Sequence, residues 1–327
     1  MSLSLQPGNL LRDRYTIIGF IGAGGMGAVY LADDNRLEGR QCAIKEIRLQ
    51  ANLSDKVAQT VRRQFRQEAS TLARLDHPGL PKVSDYFSID ERDYLVMDFV
   101  PGDNLLEIAN EARRNKCFLP QAKVIGWIDQ ICDTLTYLHS RQPPVLHRDI
   151  KPANVKLTPE GRLKLVDFGL VKPFDPDDPS TLTGLQGAGS LPYAPLEQYV
   201  DHLGHTDARS DLYALGATMY HLLTGNVPAS AQERFIVPES LPSPQEINHE
   251  IPPGLAAVVL TAMAPHPKDR PVSIAAWQQM LRGFETTNPV VDGSADGSEW
   301  SSTMRENWWL VAVAIILLTA SLWMTFG

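Results

Sequence analysis

The chain has 327 residues, of which 43% are apolar, 21% charged and 8% aromatic, which excludes a mainly disordered, collagenous or coiled-coil protein. That length suits two packed units better than one small domain. Lys plus Arg number 30 against 38 Asp plus Glu, a formal net charge of −8, so the charge balance points to no nucleic-acid partner. The three cysteines, Cys42, Cys117 and Cys132, lie far apart with no CxxC pair. That argues against a disulfide framework or a zinc site and fits small apolar residues in a reducing compartment.

The N-terminal stretch MSLSLQPGNLLRDRY has no basic segment followed by an apolar run, so no secretory signal is expected. Residues 15–21 (YTIIGFI) are β-branched and aromatic and predict a strand. Gly22, Ala23, Gly24, Gly25, Met26 and Gly27 follow as a GxGxxG run. Two structures use such a run. A dinucleotide-binding turn must open a helix whose N-terminal amides take a pyrophosphate. A hairpin lid instead brings backbone without side chains close to phosphates. Residues 28–32 (AVYLA) read as a second strand with no helix start, which favours the lid.

Residues 41–47 (QCAIKEI) are a third strand candidate. Lys45 lies in an otherwise apolar run, where an unpaired ammonium is costly; a solvated edge-strand lysine is the plain alternative. Residues 56–75 have helical periodicity, with Val61, Phe65, Leu72 and Leu75 on one face. Glu68 sits near the edge of that face. It is either an ordinary surface charge or a carboxylate that reaches the Lys45 ammonium and fixes it against a phosphate.

Three clusters follow. His147-Arg148-Asp149-Ile150-Lys151-Pro152-Ala153-Asn154 lies between helical and strand-like segments. Residues 163–169 (LKLVDFG) form a strand that ends in Asp167 and a turn that glycine permits, and residues 189–197 read GSLPYAPLE. Any one of these could arise by chance, but not their order behind a glycine lid and Lys45. Between 167 and 197 come Pro173, the acids Asp175, Asp177 and Asp178, and the hydroxyls Ser180, Thr181 and Thr183. A loop this long inside a compact domain is usually functional or disordered. Arg148 offers a cation to a phosphate on it, while the bland alternative makes these hydroxyls ordinary polar loop residues.

Residues 286–307, rich in Ser, Gly and Asp, read as a flexible linker. Residues 308–326 contain about 19 residues without a charge, roughly 28 Å as a helix, which matches the hydrocarbon core of a bilayer. Trp308 and Trp309 at one end and Trp323 at the other suit the two interfacial belts. A buried core helix is the alternative, but such helices carry a polar stripe. A membrane span is therefore expected, with the folded mass on its N-terminal side and Arg305 agreeing with a cytoplasmic position for that side.

Taken together and in this order, the motifs resemble the eukaryotic-type protein kinases, in the membrane-anchored bacterial (Hanks-type) Ser/Thr form, over about residues 12 to 283. The resemblance implies an α+β, two-lobed protein-kinase-like fold. A β-rich N-lobe would cover 12–100 and a mainly helical C-lobe 101–283, followed by a linker at 284–307 and one C-terminal transmembrane helix at 308–326. It implies ATP and Mg²⁺ as cofactors, with ATP in the cleft between the lobes. The run from Gly22 to Gly27, Val29, Ala43, Lys45, Glu68, Met97, Asp98 and Val100 would bind ATP, with Met97 gating the back of its pocket. Asp149 would take the proton of the substrate hydroxyl, Lys151 would neutralise the transferring phosphoryl group, and Asn154 and Asp167 would ligate Mg²⁺. Lys151 within Asp-Ile-Lys-Pro-Ala-Asn is the form of the loop found in Ser/Thr kinases.

The same resemblance makes Thr181 and Thr183 candidates for autophosphorylation. It also pairs Glu197 with Arg270 and gives Asp211 the support of the catalytic-loop backbone. The family's Ala-Pro-Glu reads Pro195-Leu196-Glu197 here, which puts peptide specificity in doubt more than the chemistry. The implied partners are proteins with Ser or Thr hydroxyls, the membrane through the C-terminal helix, and a second copy of the chain for phosphorylation in trans; nucleic acid is not among them. The implied location is a single-pass membrane protein with a cytoplasmic kinase domain. Two other classes compete. A pseudokinase scaffold would have lost one of Lys45, Asp149, Asn154 or Asp167, all present here. A small-molecule kinase of related fold would not be expected to carry this lid together with an activation segment.

Overall fold

A computed structural model of the chain describes residues 5–24, 27–47, 55–90, 92–167, 190–198 and 206–287. Gly25, Met26, Thr181, Thr183, residues 288–307 of the expected linker and the expected membrane span at 308–326 lie outside the described residues. Among the described residues no helix is long and apolar enough to cross a membrane.

The N-terminal part is an antiparallel sheet of β1 (Leu10–Leu11), β2 (Tyr15–Gly24), β3 (Gly27–Asp34), β4 (Gln41–Ile47), β5 (Val83–Ile89) and β6 (Arg92–Asp98) in the order β1-β2-β3-β4-β6-β5. β3 alternates, burying Ala28, Tyr30, Ala32 and Asp34. Strand β4 lies between β3 and β6 and is buried on both faces, apart from Gln41 and the partly covered Lys45. The strand expected at 15–21 continues to Gly24, because the pairing carries on to Gly24 opposite Gly27. Gly22, Ala23, Gly24 and Gly27 thus lie in the β2–β3 ladder and not at the start of a helix. Helix α1 (Asp55–Leu72) stops before the expected end at 75, ahead of Pro78, and Leu75 packs into the core from the turn that follows.

The C-terminal part holds α2 (Leu105–Arg114), α3 (Gln121–His139), the hairpin β7 (Val155–Leu157) and β8 (Leu163–Leu165), α4 (Ala208–Thr224), α5 (Ala231–Ile236), α6 (Pro244–Ile247), α7 (Pro253–Ala262) and α8 (Ile274–Thr287). The last helix runs beyond the lobe boundary expected at 283. Local chemistry sets the ends of several helices. Asn104 and Glu107 close a capping box at the start of α2, and Gly225 terminates α4 with φ 67°. Helix α4 is buried from Ser210 to Thr224, apolar nearly all round, and the other helices pack about it.

One core joins the two parts. Ile47, Leu95, Phe65 and Leu72 from the sheet side belong to the same apolar cluster as Leu135 of α3 and Leu215 of α4. A second, smaller core covers the opposite face of the sheet, around Tyr15, Tyr30, Ile44 and Tyr94. The expected α+β architecture, β-rich then helical, is therefore present.

Within α4, His221 is 2% exposed and its Nδ1 lies within hydrogen-bond reach of the Tyr193 hydroxyl, at 2.7 Å. Burial pushes its pKa down to about 4. An unfolded chain takes up a proton near pH 6.5 that the folded one refuses until about pH 4, so stability is full above 6.5 and falls as pH drops through that window. Urea titrations should show that His221→Gln removes roughly 3 kcal/mol of the loss between pH 6.5 and 4.

Candidate active site

Antiparallel pairing places Lys45 opposite Val29 on one side and Leu95 on the other, in the middle of the sheet rather than at an edge. Alternation along β4 turns Lys45 to the face shared with Ala43 and Ile47. Its Nζ lies 2.6 Å from Asp167 Oδ1. This ion pair spans the junction between the sheet and the helical part. Glu68 lies on α1, but its side chain is outside the described residues, and the expected Lys45–Glu68 pair with it.

The β7–β8 hairpin brings two of the expected residues to one end. Val155 pairs with Leu165, so Asn154 just before β7 and Asp167 just after β8 leave the same end of the ladder. The Val166 amide donates to the Asn154 carbonyl at 2.8 Å. Asp167 itself adopts φ 63°, a left-handed conformation that costs a non-glycine residue on the order of 1 kcal/mol. Desolvation works against its charge, but the Lys45 ammonium outweighs that, with Lys151 adding to it, and holds the carboxyl below its usual range.

Asp149 Oδ2 accepts from Lys151 Nζ at 2.9 Å and from Asn154 Nδ2 at 2.8 Å, and the same Nδ2 is 2.8 Å from the Asp149 carbonyl. Both side-chain donors use one oxygen, which leaves Asp149 Oδ1 as the acceptor for an incoming hydroxyl. Lys151 Nζ also donates to Ser190 Oγ at 2.6 Å. Asn154 spends its amide nitrogen on Asp149, leaving its oxygen as a donor atom for a cation. Together with the second oxygen of Asp167 it makes a hard-oxygen pair, which suits Mg²⁺ completed by phosphate and water.

The loop before Asp149 is held from below. Arg148, at φ 65°, would not keep that conformation unaided. Its amide donates to Asp211 Oδ1 at 2.8 Å and that of His147 to Oδ2 at 2.9 Å, while His139 Nε2 lies 2.8 Å from the same Oδ2. Burial works against the Asp211 charge, but the His139 contact and the loop amides prevail and keep its carboxyl below the ordinary range. Asp211 therefore holds this loop through the main-chain amides of His147 and Arg148.

Met97 pairs with Ala43 and Val83 and lines a cleft with Lys45, Leu95 and Asp167. Asp98 follows, its carboxylate taking the Lys82 amide at 3.1 Å and Arg40 at 3.4 Å, and Val100 is buried. Beyond it Gly102 has φ 99°, and a Cβ there would run into the Leu157 carbonyl of β7. The chain leaving β6 is thus pressed onto the hairpin that carries Asn154.

Glu197 and Arg270 meet as a fully buried bidentate pair, 2.6 Å and 3.1 Å. Ser210 Oγ donates to the same carboxylate, and Arg270 also donates to the carbonyls of Ala264, Arg209 and Pro265. The pairing survives the Pro195-Leu196-Glu197 departure. Sequence reasoning overlooked Ser190, one hydroxyl among several in a quoted motif, and His139, whose partner is 72 residues away.

Comparison with known proteins adds independent support. The Protein kinase domain family matches residues 15–277. "Probable serine/threonine-protein kinase PknB" of Lactococcus lactis is 33% identical over 291 residues, covering 88% of this chain and 44% of that protein. "Serine/threonine-protein kinase PknF" of Mycobacterium tuberculosis is 36% identical over 265 residues, covering 78% and 53%. The chain thus spans about half the length of these curated relatives, or less. Among solved structures, the Mycobacterium tuberculosis PknI kinase domain superposes with a TM-score of 0.65 at 28% identity, covering 86% of this chain and 99% of that one. "PpkA-294 apo form" gives 0.70 at 28% identity, covering 85% and 99%.

Arg270→Leu should strand the Glu197 carboxylate in the core and cost about 3–5 kcal/mol in urea unfolding. Replacing both residues with Leu should recover part of that loss, since the unpaired buried charge causes most of it.

Proposed function

This chain belongs to the protein kinase family, and from that premise we propose that it is an ATP- and Mg²⁺-dependent Ser/Thr protein kinase. The observation that carries the reading is a cleft where the Lys45 ammonium meets Asp167 while Asp149, Lys151 and Asn154 hold one another beside it. Bacterial relatives named as Ser/Thr protein kinases support the substrate class. A pseudokinase would lack one of these groups.

In this reading the phosphates of ATP lie between the glycine hairpin and Lys45, with the adenine along Met97, Asp98 and Val100. Magnesium, held by Asn154 and Asp167, would neutralise charge on the phosphates. Asp149 Oδ1 accepts the hydrogen bond of a Ser or Thr hydroxyl and orients it. The hydroxyl oxygen bonds to the γ-phosphorus as the bond from that phosphorus to the bridging oxygen breaks; the proton passes to Asp149, and the electron pair leaves on the β-phosphate of ADP. Lys151, between Asp149 and Ser190, places its charge where the phosphoryl group transfers.

The finer parts of the reading rest on sequence. Thr181 or Thr183 is the site of autophosphorylation, with Arg148 as the cation that receives the phosphate and a second copy of the chain acting in trans. Residues 308–326 anchor the protein in a membrane with the kinase domain on the cytoplasmic side, which raises its concentration near membrane-bound substrates. Deleting 308–327 should move the protein from the membrane to the soluble fraction; retention at the membrane would remove the anchor from this reading.

Incubation with labelled ATP, Mg²⁺ and a generic protein substrate should label Ser and Thr. Asp149→Asn should lower turnover by about 10²–10⁴-fold, the size of a lost general base, with little change in ATP binding. Absence of transfer from the wild-type chain under these conditions would overturn the assignment.

A further inference from the structure

The strand that carries Lys45 is gripped on its opposite face by a charge that phosphoryl transfer does not use. Glu46 is wholly buried, 0% exposed. Its Oε1 accepts from Arg92 Nη1 at 2.8 Å and from the Tyr94 hydroxyl at 3.4 Å, and its Oε2 accepts from the Tyr30 hydroxyl at 3.2 Å. The donors come from both neighbouring strands, Tyr30 from β3 and Arg92 and Tyr94 from β6. One carboxylate therefore ties three strands together, directly behind Lys45.

This tie sits at the lid end of the sheet. Glu46 stands opposite Ala28 and Tyr94, and the next pair along is Gly27 with Ile47. Gly27 has φ 152°, and a Cβ on it would collide with the Glu46 carbonyl, so the tip end of the glycine hairpin rests on the main chain of Glu46. Neighbouring side chains on a strand point to opposite faces. A backbone rotation that freed Glu46 would also swing Lys45 away from its position 2.6 Å from Asp167. Such a rotation must pull the wholly buried Glu46 carboxylate away from Arg92, and an unpaired buried carboxylate is strongly disfavoured.

We propose that the Glu46–Arg92 pair is a positioning device that sets the reach of Lys45 and the height of the glycine hairpin, and so the affinity for nucleotide phosphates. The proposal rests on the kinase reading of the cleft. It differs from a purely structural role in what it moves. Loss of folded protein lowers apparent kcat and leaves KM unchanged, whereas a displaced Lys45 weakens nucleotide binding in molecules that remain folded.

The test is steady-state kinetics with varied Mg·ATP, with calorimetric binding of Mg·ADP, on the whole chain and on Glu46→Gln. Arg282→Leu serves as a control that breaks an ion pair far from the cleft. Glu46→Gln should raise KM for ATP and Kd for ADP about tenfold, well inside the roughly 100-fold cost of a 1 Å misplacement. It should leave kcat within about twofold, and the control should change neither constant. Wild-type KM and Kd in Glu46→Gln would overturn the proposal. Should that variant not fold, Tyr30→Phe and Arg92→Lys remove less, and each should weaken both constants about threefold, the scale of one hydrogen bond; unchanged constants in both would overturn it equally. A wild-type chain that transfers no phosphate and binds no Mg·ADP defeats the kinase reading and this proposal together, whereas an active wild type with unaltered variants defeats the proposal alone.

Discussion

An ammonium on a central strand and a carboxylate at the end of a hairpin, 122 residues apart in the chain, meet at 2.6 Å. The rest of the architecture is arranged around that meeting. Lys45 occupies its place because β4 is paired on both sides, and Asp167 because a short β-ladder and the Asn154 carbonyl hold the backbone that leads to it. The mostly covered Lys45 ammonium would be expensive to bury alone, and pairing with the partly exposed Asp167 offsets that cost at a site that must stay open to a charged ligand.

Support for the opposite wall of the cleft is built on the same economy of buried charge. Asp211 lies in a helix buried from Ser210 to Thr224 and would be unstable there without donors. The amides of His147 and Arg148 and the ring of His139 supply them. The carboxylate thereby imposes a left-handed conformation on Arg148 and aims the following Asp149. Glu197 with Arg270 repeats the device farther out, and Glu46 with Arg92 repeats it behind the sheet. In each case a buried carboxylate accepts from donors on other segments and ties a loop or strand to them.

Much of this was legible in order along the chain. The strand at 15–21, the glycine hairpin, β4 and the helix with Phe65 and Leu72 on one face follow from alternation and period, because those signals are local. Asp149, Asn154 and Asp167 were recognisable as a group from their motifs, and the Glu197–Arg270 pair came with the family resemblance. What could not be read was which atoms satisfy which. The use of Asp149 Oδ2 by both Lys151 and Asn154, the hydroxyl of Ser190 on Lys151, and the three-strand grip on Glu46 depend on contacts between distant segments. A glutamate inside QCAIKEI reads as any strand glutamate until its two neighbouring strands are known.

The sequence by itself determined the chemical inventory and its local geometry: which carboxylates, amides and ammonium groups are present, and where glycine or alternation permits a turn or a strand. Only the tertiary structure decided how these groups are paired and which oxygens stay open, since burial sets the cost of a charge and burial is created by segments that are far apart in the chain.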